Sequence, residues 1–234
     1  GCVGTVTSVV NVFQSPIASF TSNSVCKGSA TSFSDNSTGT LNNWLWNFGD
    51  GTNSTLQNAV HTYSVAGVRS VTLTVTASNG CVNSTSANVS VYHLPVPAFA
   101  ADTACMNSSV QFTDASTVAG STVNTWHWQF SSAVSDTSGQ HNPTATYTAA
   151  GTYSVTLTAT SAQGCSAVIT RTVSIQPLPV ASFSFSPGYS YPQVPVAFAD
   201  LSSGAVTYQW FFGDGGIDSV KNPSHTYQNT GVFT

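Results

Sequence analysis

Between residues 44 and 48, Trp44, Trp46 and Phe48 alternate with Leu45 and Asn47, and between 71 and 75, Val71, Leu73 and Val75 alternate with Thr72 and Thr74. A period of two places the apolar set on one face of a strand and leaves the hydroxyls to water. Short alternating runs of this kind, broken by Gly and Asn turns, fill the chain and predict strands throughout. The runs also recur. Pro16-Ile17-Ala18-Ser19-Phe20 returns at Pro95–Phe99 and Pro179–Phe183, steps of 79 and 84 residues. Ser32-Phe33-Ser34-Asp35 returns at Gln111–Asp114 and Ala197–Asp200, and Trp44–Phe48 returns at Trp126–Phe130 and Tyr208–Phe212. His61-Thr62-Tyr63 matches Ala145-Thr146-Tyr147 and His225-Thr226-Tyr227; "AGVRSVTLTV" (66–75) matches "AGTYSVTLTA" (150–159). Self-similarity at this period marks an array of like domains.

The predicted organisation is therefore all-β: a tandem of two-sheet sandwiches of about 80 residues each. The units are residues 15–94, 95–178 and a shortened 179–234, with 1–14 as the last strand of a preceding unit. "HLPVP" (93–97) and "QPLPV" (176–180) are short Pro-rich linkers, stiff because proline fixes φ. Residues 1–14, "GCVGTVTSVVNVFQ", align with the segments beginning at Gly80-Cys81 and Gly164-Cys165, and "TGVFT" (230–234) aligns with "AGVRS" (66–70). The third unit thus lacks its last two strands. Either the native polypeptide continues at both ends, the favoured expectation, or a neighbour lends its leading strand head-to-tail.

The order P-x-x-x-F, F-x-D, W-x-W-x-F-G-D-G, H-T-Y, A-G-x-x-x-V-T-L-T-V resembles the polycystic-kidney-disease (PKD) domain. The resemblance implies Ig-like β-sandwiches that act as spacers or interaction modules in extracellular proteins. The form with "SVCKGS" near the start of a unit and "SNGC" near its end is similar to tandem repeats of large Bacteroidota surface proteins, some of them gliding or adhesion proteins exported by the type IX system. It implies a structural segment of a secreted surface protein, a stalk, filament or adhesin body. The alternative is a carbohydrate-binding accessory module of a secreted hydrolase. Further repeats of the same polypeptide or neighbouring subunits are the implied partners, with surface polysaccharide as a candidate ligand.

Composition agrees with an exposed setting. Only 5% of residues are charged, with Lys+Arg 4, Asp+Glu 8 and net charge -4. Four cations cannot neutralise a run of phosphates, so nucleic acid is excluded as a partner. No apolar run reaches the ~18 residues of a membrane helix. With 36 Ser and 32 Thr, hydroxyls supply the wetting that charges supply elsewhere. Asp102-Thr103-Ala104 and Asp218-Ser219-Val220 resemble the short O-glycosylation signal of Bacteroidota, making Thr103 and Ser219 candidates. Asn36, Asn53, Asn83, Asn88 and Asn107 open N-x-Ser/Thr sequons.

Candidate chemistry is sparse. Phe-Gly-Asp-Gly stands at 48–51 and 212–215, but the second copy has Phe130-Ser131-Ser132-Ala133. A catalytic or metal loop would not vanish from one of three copies, so Gly49, Asp50, Gly51, Gly213, Asp214 and Gly215 are read as structural turns. Calcium needs roughly six grouped oxygens, which no copy offers. No paired His spacing, nucleophile elbow or facing acid pair is present. No catalytic residue, cofactor or metal is assigned, and the chain is not read as an enzyme. Asp35, Asp114 and Asp200 are expected to bond backbone at a strand-end turn, and the five tryptophans to point inward.

Cys26 and Cys105 are equivalent, as are Cys2, Cys81 and Cys165, each of which follows a glycine. Regular recurrence in a hydroxyl-rich chain predicts oxidised staples in an oxidising compartment. The pairing expected is one bridge per unit, Cys26–Cys81 and Cys105–Cys165. These would close loops of 55 and 60 residues, each stabilising its unit by about 4 kcal/mol. In an Ig-like topology, however, those positions lie at opposite ends, and a bridge between units such as Cys26–Cys165 is geometrically easier. The third copy is aligned with Tyr189 at the first cysteine, and Cys2 has no evident partner.

Overall fold

In the computed structural model, which describes residues 1–234, the chain folds into strands and turns alone. The first body contains β1 (Phe20–Ser22), β2 (Val25–Cys26), β3 (Ala30–Asp35), β4 (Leu41–Asn47), β5 (Asn53–Ser54), β6 (Ala59–Thr62), β7 (Gly67–Ala77) and β8 (Val82–Tyr92). One sheet runs β1-β3-β6 and the other β2-β8-β7-β4-β5. All pairs are antiparallel except β2, which lies parallel to the end of β8 through Val25↔Val91 and Cys26↔Tyr92. The second body repeats this with β9 (Phe99–Ala101), β10 (Ala104–Cys105), β11 (Ser109–Asp114), β12 (Val123–Phe130), β13 (Thr137–Ser138), β14 (Thr144–Thr146), β15 (Gly151–Ser161) and β16 (Ser166–Gln176). Its sheets are β9-β11-β14 and β10-β16-β15-β12-β13.

The alternation read from the sequence decides which side chains meet. Trp46, Val71, Leu73 and Val75 are fully enclosed, together with Phe33, Phe48 and Tyr63 from the facing elements. Trp128, Phe112, Phe130, Tyr147, Val155 and Leu157 repeat the cluster in the second body. On the outer face Thr72 and Ser86 share a hydroxyl bond of 2.7 Å across β7 and β8, and Thr156 and Thr170 one of 2.8 Å in the next body. Such cross-strand pairs stand where charged pairs usually do.

The third body contains β17 (Phe183–Ser186), β18 (Pro195–Asp200), β19 (Trp210–Phe211), β20 (Ile217–Asp218) and β21 (Ser224–Thr226). Its first sheet is whole, ordered β17-β18-β21, but the second holds only β19 and β20. Counterparts of β2, β7 and β8 are absent from this body. Phe183, equivalent to the buried Phe99, is consequently more than half exposed, and a cleft of about 900 Å³ opens between Phe198, Trp210, Phe212 and Phe233. Residues 1–14 carry no strand and are exposed, tied to the first body through the Asn79 amide, which donates to the Gln14 carbonyl at 3.4 Å.

Candidate functional site

Two recurring polar constellations and one covalent bond account for the residues singled out in the sequence. The first constellation is the turn after β4. Gly49 has φ +75° and Gly51 +92°, a region that L side chains rarely enter. Gly49 is also pressed against β7, so that a Cβ there would stand 2.5 Å from the Ser70 carbonyl oxygen. Asp50 closes the turn: its Oδ1 accepts the Thr52 N–H at 3.1 Å and the Thr52 hydroxyl at 2.6 Å. Its Oδ2 holds His61 Nε2 at 2.7 Å. The His61 ring lies flat on Phe48, centroids 4.3 Å apart, with Tyr63 at its edge. In the third body Asp214, His225, Phe212 and Tyr227 reproduce the set, with His225 Nε2 2.7 Å from Asp214 and φ values of +81° and +95° at Gly213 and Gly215. Burial opposes ionisation of Asp50, but the bonds from Thr52 and His61 outweigh it and hold the carboxyl below its ordinary value of 3.8.

The second body shows what the turn does by lacking it. Ala145 replaces the histidine and Ser131–Ala133 replace the Gly-Asp-Gly run. Tyr63 donates its hydroxyl to the Phe48 carbonyl at 3.1 Å, whereas the Tyr147 hydroxyl is buried without a partner. Burial pushes both phenols up to about 12. In the first body the aspartate–histidine pair ties the turn to β6 and lays the His61 ring on Phe48.

The second constellation caps the strand pair at Asp35, Asp114 and Asp200. Each Oδ1 accepts the N–H two residues on, from Ser37, Ser116 and Ser202, at 3.0, 3.1 and 2.9 Å. Asp35 Oδ2 also accepts the Trp44 indole N–H at 2.7 Å, and Asp114 Oδ2 accepts that of Trp126 at 2.9 Å. Sequence reasoning overlooked the partners Asn58, Asn142 and Asn222, whose Oδ1 atoms accept the aspartates' own N–H groups at 3.0, 2.8 and 2.8 Å. The signal was present, since each stands three residues before His61, Ala145 and His225. Trp46, Trp128 and Trp210 each donate an indole N–H to a backbone carbonyl, of Leu56, Gln140 and Val220. No three His, Cys, Asp or Glu side chains are grouped so as to hold a metal ion. Thr103 and Ser219 are exposed, Thr103 in the turn between β9 and β10 and Ser219 just after β20.

The covalent bond departs from the pairing expected. Cys26 is joined to Cys165, Cα–Cα 5.6 Å and 139 residues apart, while Cys2, Cys81 and Cys105 are free thiols. The reason is the length of β8. Cys26 sits beside the end of that strand and Cys81 immediately before its start, so about 36 Å of strand separates them. The end of one body instead abuts the β15–β16 turn of the next, where Cys165 is buried. The third body also departs from the alignment at Tyr189. The N–H of Gly28 donates to the Tyr63 carbonyl and that of Asn107 to the Tyr147 carbonyl; in the third body Gln193 donates to Tyr227. Counting back two residues puts Tyr191, not Tyr189, at the position of Cys26 and Cys105. The loop after β17 is two residues longer than its counterparts.

A PKD-domain family model matches residues 13–91, 92–176 and 190–234. No curated protein matches the chain. Among solved structures, the PKD1 domain of Vibrio anguillarum Epp is 28% identical, with TM-score 0.34, over 37% of this chain and 99% of that domain. The PKD1 domain of the Vibrio cholerae metalloprotease PrtV is 31% identical, with TM-score 0.32, over 36% of this chain and 98% of that domain. Three successive matches extend over most of the sequence, and the chain belongs to the PKD-domain family.

Proposed function

We propose that the chain is a non-catalytic structural segment of a long extracellular surface protein, the body of a stalk, filament or adhesin. Its units are 15–94, 95–178 and 179–234, and 1–14 is the last strand of a preceding unit. The observation that carries this reading is the bond from Cys26 to Cys165, which joins two bodies rather than closing one. A staple across a joint fixes the direction in which the next body leaves, and that matters where many bodies must form one shaft. Disulfides persist in oxidising compartments, in keeping with an extracellular position. Exposed Thr103 and Ser219 are candidate O-glycan attachment points on a surface poor in charge. A native mass equal to the bare polypeptide would eliminate that role.

A sugar-binding role draws less support in the first two bodies, because the tryptophans that would form a platform there are engaged elsewhere. Trp46 and Trp128 have no exposed surface, and the Trp44 and Trp126 indoles are tied to Asp35 and Asp114. Small-angle X-ray scattering of the oxidised chain and of a Cys26→Ser/Cys165→Ser variant tests the structural reading. The oxidised chain should scatter as a rod with a fixed joint between the first two bodies, and the variant as a broader, shorter distribution. Identical curves would count against a stalk built on stapled joints.

A further inference from the structure

Two of the free cysteines, Cys105 and Cys81, sit in turns whose backbone hydrogen bonds match those around the bonded ones. At Cys26, the Lys27 N–H donates to the Tyr92 carbonyl at 2.9 Å, Gly28 to Tyr63 at 3.0 Å and Ser29 back to Cys26 at 2.9 Å. At Cys105, Met106 donates to Gln176 at 2.9 Å, Asn107 to Tyr147 at 2.8 Å and Ser108 back to Cys105 at 3.1 Å. Both cysteines end a two-residue strand laid parallel to the last strand of their body, and Gly28 and Asn107 share positive φ, +83° and +64°. The hairpin side matches in its backbone, although the Cys81 N–H is held by Asn79 Oδ1 and the Cys165 N–H by Ser161 Oγ. Ala77 and Ser161 donate to the carbonyls of Cys81 and Cys165, both at 2.8 Å, and Gly80 and Gly164 have φ +82° and +80°. One member of each class is already joined, Cys26 to Cys165, from the end of one body to the β15–β16 hairpin turn of the next.

We propose that this bond is one rung of a ladder. Cys105 takes the cysteine of a Gly-Cys turn on a hairpin of the β7–β8 kind that completes the third body, and Cys81 takes the first-position cysteine of a like body placed before the first. The occupant is specified by what the third body lacks: β19 is left without the strand that β7 gives β4, and the apolar cleft of about 900 Å³ lies where Val71, Leu73, Val75, Val89 and Val91 fill the first body. Such a hairpin carries its turn to the end of the third body that faces Cys105, as the β15–β16 turn faces Cys26. The oxidant is a disulfide, either a small-molecule one or a dithiol oxidase. The Cys105 thiolate attacks one sulfur and releases a thiol, and the hairpin thiolate then displaces the second thiol; two protons and two electrons leave the cysteines and reduce that disulfide. The ladder ends after the third body, where Tyr191 occupies the first position.

This rule rests on the stapled-shaft reading, but its test is covalent connectivity, whereas that reading stands or falls on shape. The chain is extended after Thr234 with a second copy of residues 71–93, which continues the register because Val232–Thr234 correspond to Val68–Ser70. A parallel chain carries residues 155–177 instead, whose Gly164-Cys165 turn has already shown its fit. Both are refolded in a glutathione buffer, alkylated and mapped without reduction. The expected result is Cys105 joined to the added cysteine in at least one chain, Cys26–Cys165 retained, and Cys2 and Cys81 alkylated. A version with the added cysteine changed to Ser should return Cys105 to the alkylated pool. The proposal is overturned if Cys105 stays free in both chains, or if it joins Cys81 or the Cys2 of a second molecule.

Discussion

At Tyr63 and Tyr147 one hydroxyl decides between two outcomes. Tyr63→Phe removes a buried bond to the Phe48 carbonyl and should cost about 1 kcal/mol in the urea midpoint of the first body. Tyr147→Phe removes a hydroxyl that has no partner and should be neutral or stabilising in the second. Gly49→Ala forces both a left-handed φ and a clash with the Ser70 carbonyl, so a loss of about 2 kcal/mol or more is expected. Gly28→Ala, with open space around its Cβ, should cost less. The carboxylates give a pH signature. Asp35 and Asp50 are both held below 3.8; burial acts against this, and the bonds from Ser37, Trp44 and Gln57 in one case and Thr52 and His61 in the other outweigh it. Their contribution is full above 3.8 and lost as pH falls through the lower folded values. Denaturant midpoints followed from pH 6 to pH 2 should therefore drop below about pH 4, and Asp50→Asn should flatten part of that drop. A midpoint independent of pH in this window would show that these bonds are not linked to folding.

Among the elements, the central strands were legible because alternation at Trp44–Phe48 and Val71–Val75 fixes which face is buried. The backbone at Gly49–Gly51 was legible too, because glycines on both sides of Asp50 mark positions that take positive φ. The pairing of the cysteines was legible only as the alternative, Cys26–Cys165, which strand topology named while one bridge per unit was the expectation. It depends on which end of a strand each one occupies, and β2 (Val25–Cys26) is too short to announce that it lies beside the end of β8. The displacement from Tyr189 to Tyr191 was hidden for a like reason, since a longer loop after β17 shifts the count while the backbone bond from Gln193 to Tyr227 keeps the place. The strands also predict where reduction is felt. In the chain-entropy picture the bridge, closing a loop of 139 residues, stabilises the first two bodies together by about 5 kcal/mol against complete unfolding. Adding reductant should lower the urea midpoints of those two bodies and leave the third unchanged.

For the molecule as a whole, the Cys26–Cys165 bond changes what tension can reach. A load applied to the two ends passes from residue 26 directly to residue 165, and the 139-residue segment between them lies outside the path of the force. About 480 Å of extended chain is withheld in this way. Single molecules stretched from Gly1 and Thr234 should yield short extensions while oxidised, then lengthen by that amount once a reductant is added; equal extensions in both conditions would show that the bond is not formed. Two β-sandwiches that unravel under a load act as shock absorbers. Two whose strands between residues 26 and 165 are bypassed act as a strut, most of whose slack is released by electrons rather than by pulling.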